Sequence, residues 1–245
     1  MREQIEHILR DTEKILALHI QCTSMAFSSF GLLEKLTKKH VLPHIAQTFQ
    51  TRLISDFQNI KTVEQGIAIW ELAESVRNIP SVARLLLNGG DYETILAKLK
   101  TNAEASDFLQ KWQTFIDNFG NRSSQEFELS VPKWDTDPSF VLDNVKQILK
   151  NHHPDPRGNL AQQQVTSKKN TKQTKQQIKT KKAPWRGWLF ERYVRAYRLF
   201  VPLRENLKYA LIERFNILRK LMLLYGEWLV HKRYIGDKED IFFLE

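Results

Sequence analysis

A chain of 245 residues is long enough for one large domain or two small ones. Its 42% apolar content supports a core, while nine glycines and eight prolines are few for a sandwich or barrel, and the single Cys22 excludes an intramolecular disulfide framework. The net charge of +9 is local: 156–190 contains no acidic residue, and outside that stretch basic and acidic residues balance, which argues against a generally basic folded surface.

In chain order the pattern is helical. Residues 3–39 read as two helices, with Ile5, Ile8, Leu9, Ile15, Leu16 and Leu18 at helical spacing. The small residues Thr23, Ser24, Ala26, Ser28 and Ser29 would allow a neighbouring helix to approach closely. Pro43 is expected to start or bend the next helix. Residues 63–77 carry a broad apolar face with Ile67, Ile69, Trp70, Leu72, Ala73 and Val76. Pro80 interrupts, and a short helix over 81–87 is expected to end at Asn88-Gly89-Gly90, where glycine can take left-handed geometry. Helices over 92–99 and 103–119 follow, the second closed by Gly120.

Residues 119–142 read FGNRSSQEFELSVPKWDTDPSFVL. Phe127 and Leu129 alternate with Glu126, Glu128 and Ser130, so a short extended segment is expected near 125–134, prolonged by Pro132. Asp137 is suited to cap a helix and Pro138 to open one, running through Leu149. His152, His153, Pro154 and Pro156 should end it. Residues 157–183 are rich in Gln, Lys, Thr and Asn, with Leu160, Val165 and Ile178 as the larger apolar side chains. Such a composition offers little apolar burial against the entropy of ordering, so a flexible linker or insert is expected over 156–184. A long helical region follows from 185, with Pro202 expected to divide it. Leu207, Leu211, Phe215, Leu218, Met222 and Tyr225 form an amphipathic stripe. The fold class is therefore all-α, a multi-helix bundle organised as 1–155, a linker at 156–184, and C-terminal helices over 185–245 that pack on the first part.

Motifs for catalysis are absent. There is no Gly-rich loop ending in Gly-Lys-Ser/Thr and no Gly-x-Ser-x-Gly elbow. His40 and His44 have helical metal-ligand spacing, but Pro43 lies between them, and structural zinc usually takes four ligands. No metal site and no catalytic residue is expected. Glu126 and Glu128 fall on one face of the extended segment, where a solvated face is the plainer reading than an acid–base pair. Seven lysines (Lys168, Lys169, Lys172, Lys175, Lys179, Lys181 and Lys182) form an electrostatic insert without an aromatic residue among them, so a solvated segment is preferred to a nucleic-acid site.

The stretch from Gly120 to Pro138 resembles a segment of the large phosphoenolpyruvate-utilising phosphotransferases, the rifampicin phosphotransferase and phosphoenolpyruvate-synthase-like proteins. These read Gly-His-Arg-Gly, Glu-x-Asp-Leu, Pro-Arg-Trp and Asp-Pro. This chain has Gly120-Asn121-Arg122-Ser123, Glu126-Phe127-Glu128-Leu129, Pro132-Lys133-Trp134 and Asp137-Pro138. Residues 68–73 and the ending Ile241-Phe242-Phe243-Leu244 are also similar, and the likeness extends over most of 50–155 and 190–244. The resemblance implies the central helical domain, between an ATP-binding domain and a phosphohistidine domain. Neither has a counterpart here, and Asn121 replaces a titratable histidine with a neutral amide.

The expected function is therefore that of a substrate-binding or scaffold domain, non-catalytic alone or part of a split enzyme. ATP and magnesium enter only with separately encoded partner domains. Arg122 and Asn121 are the candidate substrate or anion contacts. For Arg122 a salt bridge to Glu126 or Glu128 stands equally open. Gly120, Glu126, Pro132, Trp134, Asp137 and Pro138 are the structural residues of the motif. The alternative is a helical adaptor that binds RNA or an anionic surface through the lysines, although nucleic acid is not the expected partner. The opening residues lack the apolar core of a secretory signal, and no uninterrupted apolar run reaches about 18 residues, so a cytoplasmic protein without a transmembrane segment is expected.

Overall fold

The computed structural model describes residues 2–40, 60–151, 153–179 and 183–244. The chain is all-α, with no strand among these residues. The helices are α1 (Arg2–His40), α2 (Lys61–Arg77), α3 (Pro80–Asn88), α4 (Tyr92–Lys100), α5 (Ser106–Phe119), α6 (Ser139–Asn151), α7 (Pro156–Ile178) and α8 (Trp185–His231). Short 3₁₀ helices occupy Ala103–Ala105 and Lys238–Phe243. The reading at Pro43 and the residues His44, His152, Lys181 and Lys182 lie outside the described residues.

The chain forms two compact units, each assembled from separated stretches. One unites Met1–Glu13, Gln65–His153 and Tyr209–Glu245; the other unites Lys14–Glu64 and Pro154–Lys208. This division does not follow the sequential one read from composition, because α1 and α8 each contribute residues to both units.

In the first unit the helical apolar spacing becomes one core. Ile69, Leu72, Ala73 and Val76 of α2 meet Val82 and Leu86 of α3, Ile95 and Leu99 of α4, and Val141, Leu142, Val145 and Leu149 of α6. The aromatic stripe of α5 (Phe108, Trp112, Phe115 and Phe119) joins the same core. Full burial of each large apolar side chain contributes about 1.5–3 kcal/mol. Asp91 caps α4 by accepting a hydrogen bond from the Thr94 amide at 2.8 Å. Gly90, rather than Gly89, takes the positive φ of 96° after α3.

The second unit has a smaller core of Leu33, Ile60, Ile178, Phe190, Val194 and Tyr197. Three expectations change here or along the helices that feed it. Residues 3–39 form one continuous helix, α1, and not two. Of its small-residue patch, Ala26 and Ser29 are buried. Pro202 lies inside α8 without dividing it; the helix gives up one amide hydrogen bond there and continues.

The third change is the largest. The segment 156–178, expected as a flexible linker, is the 23-residue helix α7. Asp155 caps it through the Arg157 amide at 2.8 Å, and Pro156 occupies its first turn. Its buried stripe is Ser167, Thr174 and Ile178. Arg198 of α8 donates to the Ser167 and Thr171 hydroxyls at 2.9 and 3.3 Å. Counting large apolar residues missed this, because small hydroxyl side chains form the packing face while Gln and Lys are good helix formers on the other.

An 18-residue window within 6–39 reaches a mean hydropathy of 1.3, with 11% of it buried. By length and composition alone that helix is long and apolar enough to cross a membrane. The sequence reading missed it because uncharged polar residues break the apolar run, whereas no Asp, Glu, Lys or Arg stands between Lys14 and Glu34.

Candidate functional site

The motif stretch leaves α5 at Gly120 and returns to helix at Ser139, inside the first unit. It is non-helical, as expected, and within 125–134 it folds as turns and bends, not as a strand. Two backbone hydrogen bonds close it. The Trp134 amide donates to the Arg122 carbonyl at 2.8 Å, and the Asp135 amide donates to the Gly120 carbonyl at 3.0 Å. Gly120 permits this return: a Cβ there would lie 2.9 Å from Cβ of Asp135 and 2.4 Å from the Ile116 carbonyl oxygen.

Trp134 anchors the closed loop. It is buried, with its ring 6.3 Å from Phe115 and 5.5 Å from Phe140, both in stacked geometry. Asp137 then accepts from the Ser139 amide at 3.1 Å and caps α6, and the Leu142 amide reaches the Pro138 carbonyl at 3.1 Å.

The charged residues turn inward. Arg122 Nε donates to Glu126 Oε1 at 2.8 Å, and an Nη donates to Gln65 Oε1 of α2 at 2.5 Å. Both members of the Arg122–Glu126 pair keep 12% of their side chains exposed. Of the two readings left open for Arg122, the geometry contains the salt bridge to Glu126. Glu128 has a separate role, accepting from the amide and hydroxyl of Ser130 at 3.0 and 2.8 Å. Those hydrogen bonds hold its carboxyl below the usual carboxylate range. Glu126 and Glu128 therefore have different partners.

Asn121 accepts a hydrogen bond from Asn216 Nδ2 of α8 at 2.7 Å. Asp135, beside it, is paired with Lys220 at 2.7 Å. Asn121 is thus tied to a neutral amide, in a place where two charged side chains already neutralise one another.

The residue that organises the loop from within is Lys133. It is fully buried. Its ammonium donates to the Ser123 hydroxyl at 3.2 Å and to the carbonyls of Gln125, Glu126 and Glu128 at 3.4, 3.1 and 3.0 Å. Burial, with Arg219 adding like-charge repulsion, pushes its pKa below the ordinary lysine value, against the opposing pull of Glu128, Glu126 and Asp135. Arg219 of α8 is also buried. It donates to the Leu129 carbonyl, contacts Glu239 at 3.2 Å, and lies 4.9 Å from the Phe242 ring centre. Arg219 thus joins the C-terminal end to the motif loop.

Sequence reasoning singled out neither Lys133 nor Arg219. A basic residue between a proline and a buried tryptophan was the available signal for Lys133. Arg219, on the amphipathic stretch of α8, was indistinguishable from its exposed neighbour Lys220.

Of the insert's lysines, Lys168, Lys169, Lys172 and Lys175 lie on α7 and Lys179 just past its end. Lys168, Lys169, Lys172 and Lys179 are exposed, and Lys175 pairs with Glu191 of α8 at 2.5 Å. Among the described residues no group of three or more His, Cys, Asp or Glu side chains is arranged to hold a metal ion.

The geometry is that of a loop whose polar side chains are partnered within the fold. Residues 19–205 match the family of the rifampicin phosphotransferase fourth domain. The chain belongs to this family. The match begins well before residue 50 and runs through α7, wider there than the expected likeness, and it ends at residue 205, within the expected 190–244.

Among its relatives is the prodigiosin synthesizing transferase PigC of Serratia marcescens, 33% identical over 129 residues, covering 51% of this chain and 14% of that protein. Rifampicin phosphotransferase of Streptomyces sviceus is 24% identical over 191 residues, covering 75% of this chain and 21% of the relative. Rifampicin phosphotransferase of Bacillus cereus is 20% identical over 246 residues, covering 99% of this chain and 27% of the relative. The chain therefore spans between 14% and 27% of these relatives' lengths. It is a phosphotransferase-family helical domain, with Gly120, Lys133, Trp134 and Asp137 in its central structural loop.

Proposed function

We propose that this chain is the substrate-binding and scaffolding part of a phosphotransferase-type enzyme and transfers no phosphoryl group by itself. The observation that carries the reading is the inward commitment of the motif loop. Arg122, Glu126, Lys133 and Asp137 all hold the loop or its neighbours, and Asn121 is bound to Asn216. Each of these groups already has a partner within the described fold, which supports a structural role for them over a catalytic one. ATP-binding and phosphohistidine domains, from separately encoded chains or adjoining segments, would supply ATP, magnesium and the phosphoryl carrier.

The test is to incubate the purified chain with ATP and magnesium, or with phosphoenolpyruvate, and to assay for phosphohistidine. The expected result is no labelling of the chain alone, and transfer to substrate once the two partner domains are added. Acid-labile labelling of the isolated chain would overturn the reading. A neighbouring reading frame that encodes either partner domain favours a split enzyme over a remnant.

A further inference from the structure

The second unit contains a cavity of about 440 Å³ between α1, the start of α2 and α8. Its volume falls within the range of small-molecule sites, near the lower end. Helix α1 contributes Phe27 and Phe30, three residues apart and so on one face. Helix α8 contributes Tyr197, Val201 and Arg204, spaced by four and three on a facing stripe. Phe30 and Tyr197 lie with ring centres 5.7 Å apart and planes tilted by 37°. The walls thus offer aromatic faces and edges to whatever enters.

One ion pair borders this apolar space. Arg204 pairs with Glu205 at 2.7 Å, and its guanidinium lies 5.8 Å from the centre of the Phe27 ring. The backbone at Arg204 is fixed as well, because His19 Nδ1 donates to its carbonyl at 3.1 Å. The pair supplies both a hydrogen-bond donor and an acceptor with no net charge. A strongly charged ligand would have to leave water to meet a site that is already neutralised. An uncharged hydroxyl, amide or amine meets no such cost and finds both partners.

We infer that this cavity binds a compact, uncharged aromatic molecule with a hydrogen-bonding group directed at Arg204 and Glu205. The inference deepens the substrate-binding reading and rests on it only for biological meaning. Occupancy is read on this chain without any phosphoryl transfer, so the two ideas fail separately.

The test titrates the full chain with N-phenyl-1-naphthylamine, a neutral two-part aromatic amine whose fluorescence rises in apolar surroundings. Its sulfonated analogue, 8-anilinonaphthalene-1-sulfonate, is titrated in parallel. We expect saturable binding of the neutral probe, tighter than that of the sulfonate. Thr62 is an exposed residue of the cavity wall, so Thr62→Trp fills the opening at little cost to packing. It should weaken neutral-probe binding by about tenfold or more, with the melting temperature unchanged.

Should Thr62→Trp fail to fold, Arg204→Gln takes its place and should weaken the neutral probe as well. The exposed, stacked Tyr225–Trp228 pair is the control for adventitious probe binding. Trp228→Ala should leave the titration unchanged. Undiminished binding in folded Thr62→Trp, loss of binding in Trp228→Ala, or tighter binding of the sulfonate would each overturn the proposal.

Discussion

The motif loop at 120–138 and helix α7 at 156–178 are both polar stretches that a simple apolar pattern does not explain, and they are held in place differently. The loop is closed around a cation. Lys133 has four oxygen partners, Arg122 has Glu126 and Gln65, and Trp134 ties the ensemble to the α5–α6 aromatics. Helix α7 is fastened by small hydroxyls and one terminal isoleucine, and some of its buried polar atoms, Thr174 Oγ1 and Asn170 Nδ2, have no hydrogen-bond partner in the structure. Sequence motifs track the first kind of fastening, because each loop residue has a job that few others can do. Composition misjudges the second kind, because a Ser or Thr in a helix–helix seam is indistinguishable by type from one in solvent.

The contrast is tested most severely at Trp134. Trp134→Ala removes the ring that stacks on Phe115 and Phe140 and leaves a core cavity, so a loss of about 3–5 kcal/mol is expected. Chemical denaturation reads it directly. A loss below about 1 kcal/mol would mean that the loop is not anchored through this ring.

Arg122→Ala comes next. Breaking a largely buried ion pair leaves Glu126 uncompensated, at a cost of about 3 kcal/mol. If Arg122 acts through the fold alone, binding of any ligand by the folded variant is unchanged. Lost affinity at retained stability would instead return Arg122 to the role of an anion contact.

Lys133 sharpens the comparison through pH. Lys133→Met keeps the volume but strips the surrounding carbonyls of their donor, and a loss of about 2–3 kcal/mol is expected near neutral pH. The folded-state pKa of Lys133 is lowered from the ordinary 10.5 by burial first and Arg219 second. Between that depressed value and 10.5 the unfolded chain holds a proton that the folded chain has released. The Lys133 contribution to stability therefore rises with pH across that window. Denaturation curves of wild type and Lys133→Met taken across the window should diverge as pH climbs. Parallel curves would show that the buried ammonium is not titrating there.

Much of this was legible in the sequence. The helix ends at Arg77, Asn88 and Phe119 follow from Pro80, the glycine pair and Gly120. Asp137-Pro138 announced the start of α6, and the loop motif pointed to the family. Other features were hidden for identifiable reasons. Lys133 and Arg219 are buried cations whose partners are backbone carbonyls, which a sequence does not display. The continuity of α8 through Pro202 is set by the packing of neighbouring residues such as Val194 and Tyr197, not by local preference. The pocket side chains Phe30 and Tyr197 lie far apart in the chain and meet through tertiary packing alone.

The smallest expected effect has the opposite sign. In α7 the Thr174 hydroxyl is buried without a hydrogen-bond partner, whereas every loop carbonyl named around Lys133 has one. Thr174→Val replaces that hydroxyl by a methyl of similar size, removing a desolvated donor without opening a hole. Valine costs slightly more in helix propensity, but by only a few tenths of a kcal/mol. The gain from deleting an unsatisfied polar group is about 1 kcal/mol or more, so the balance favours the variant. A rise of a few degrees in the melting temperature is expected. A fall would mean that the Thr174 hydroxyl is satisfied in solution, as the carbonyls around Lys133 are in the loop.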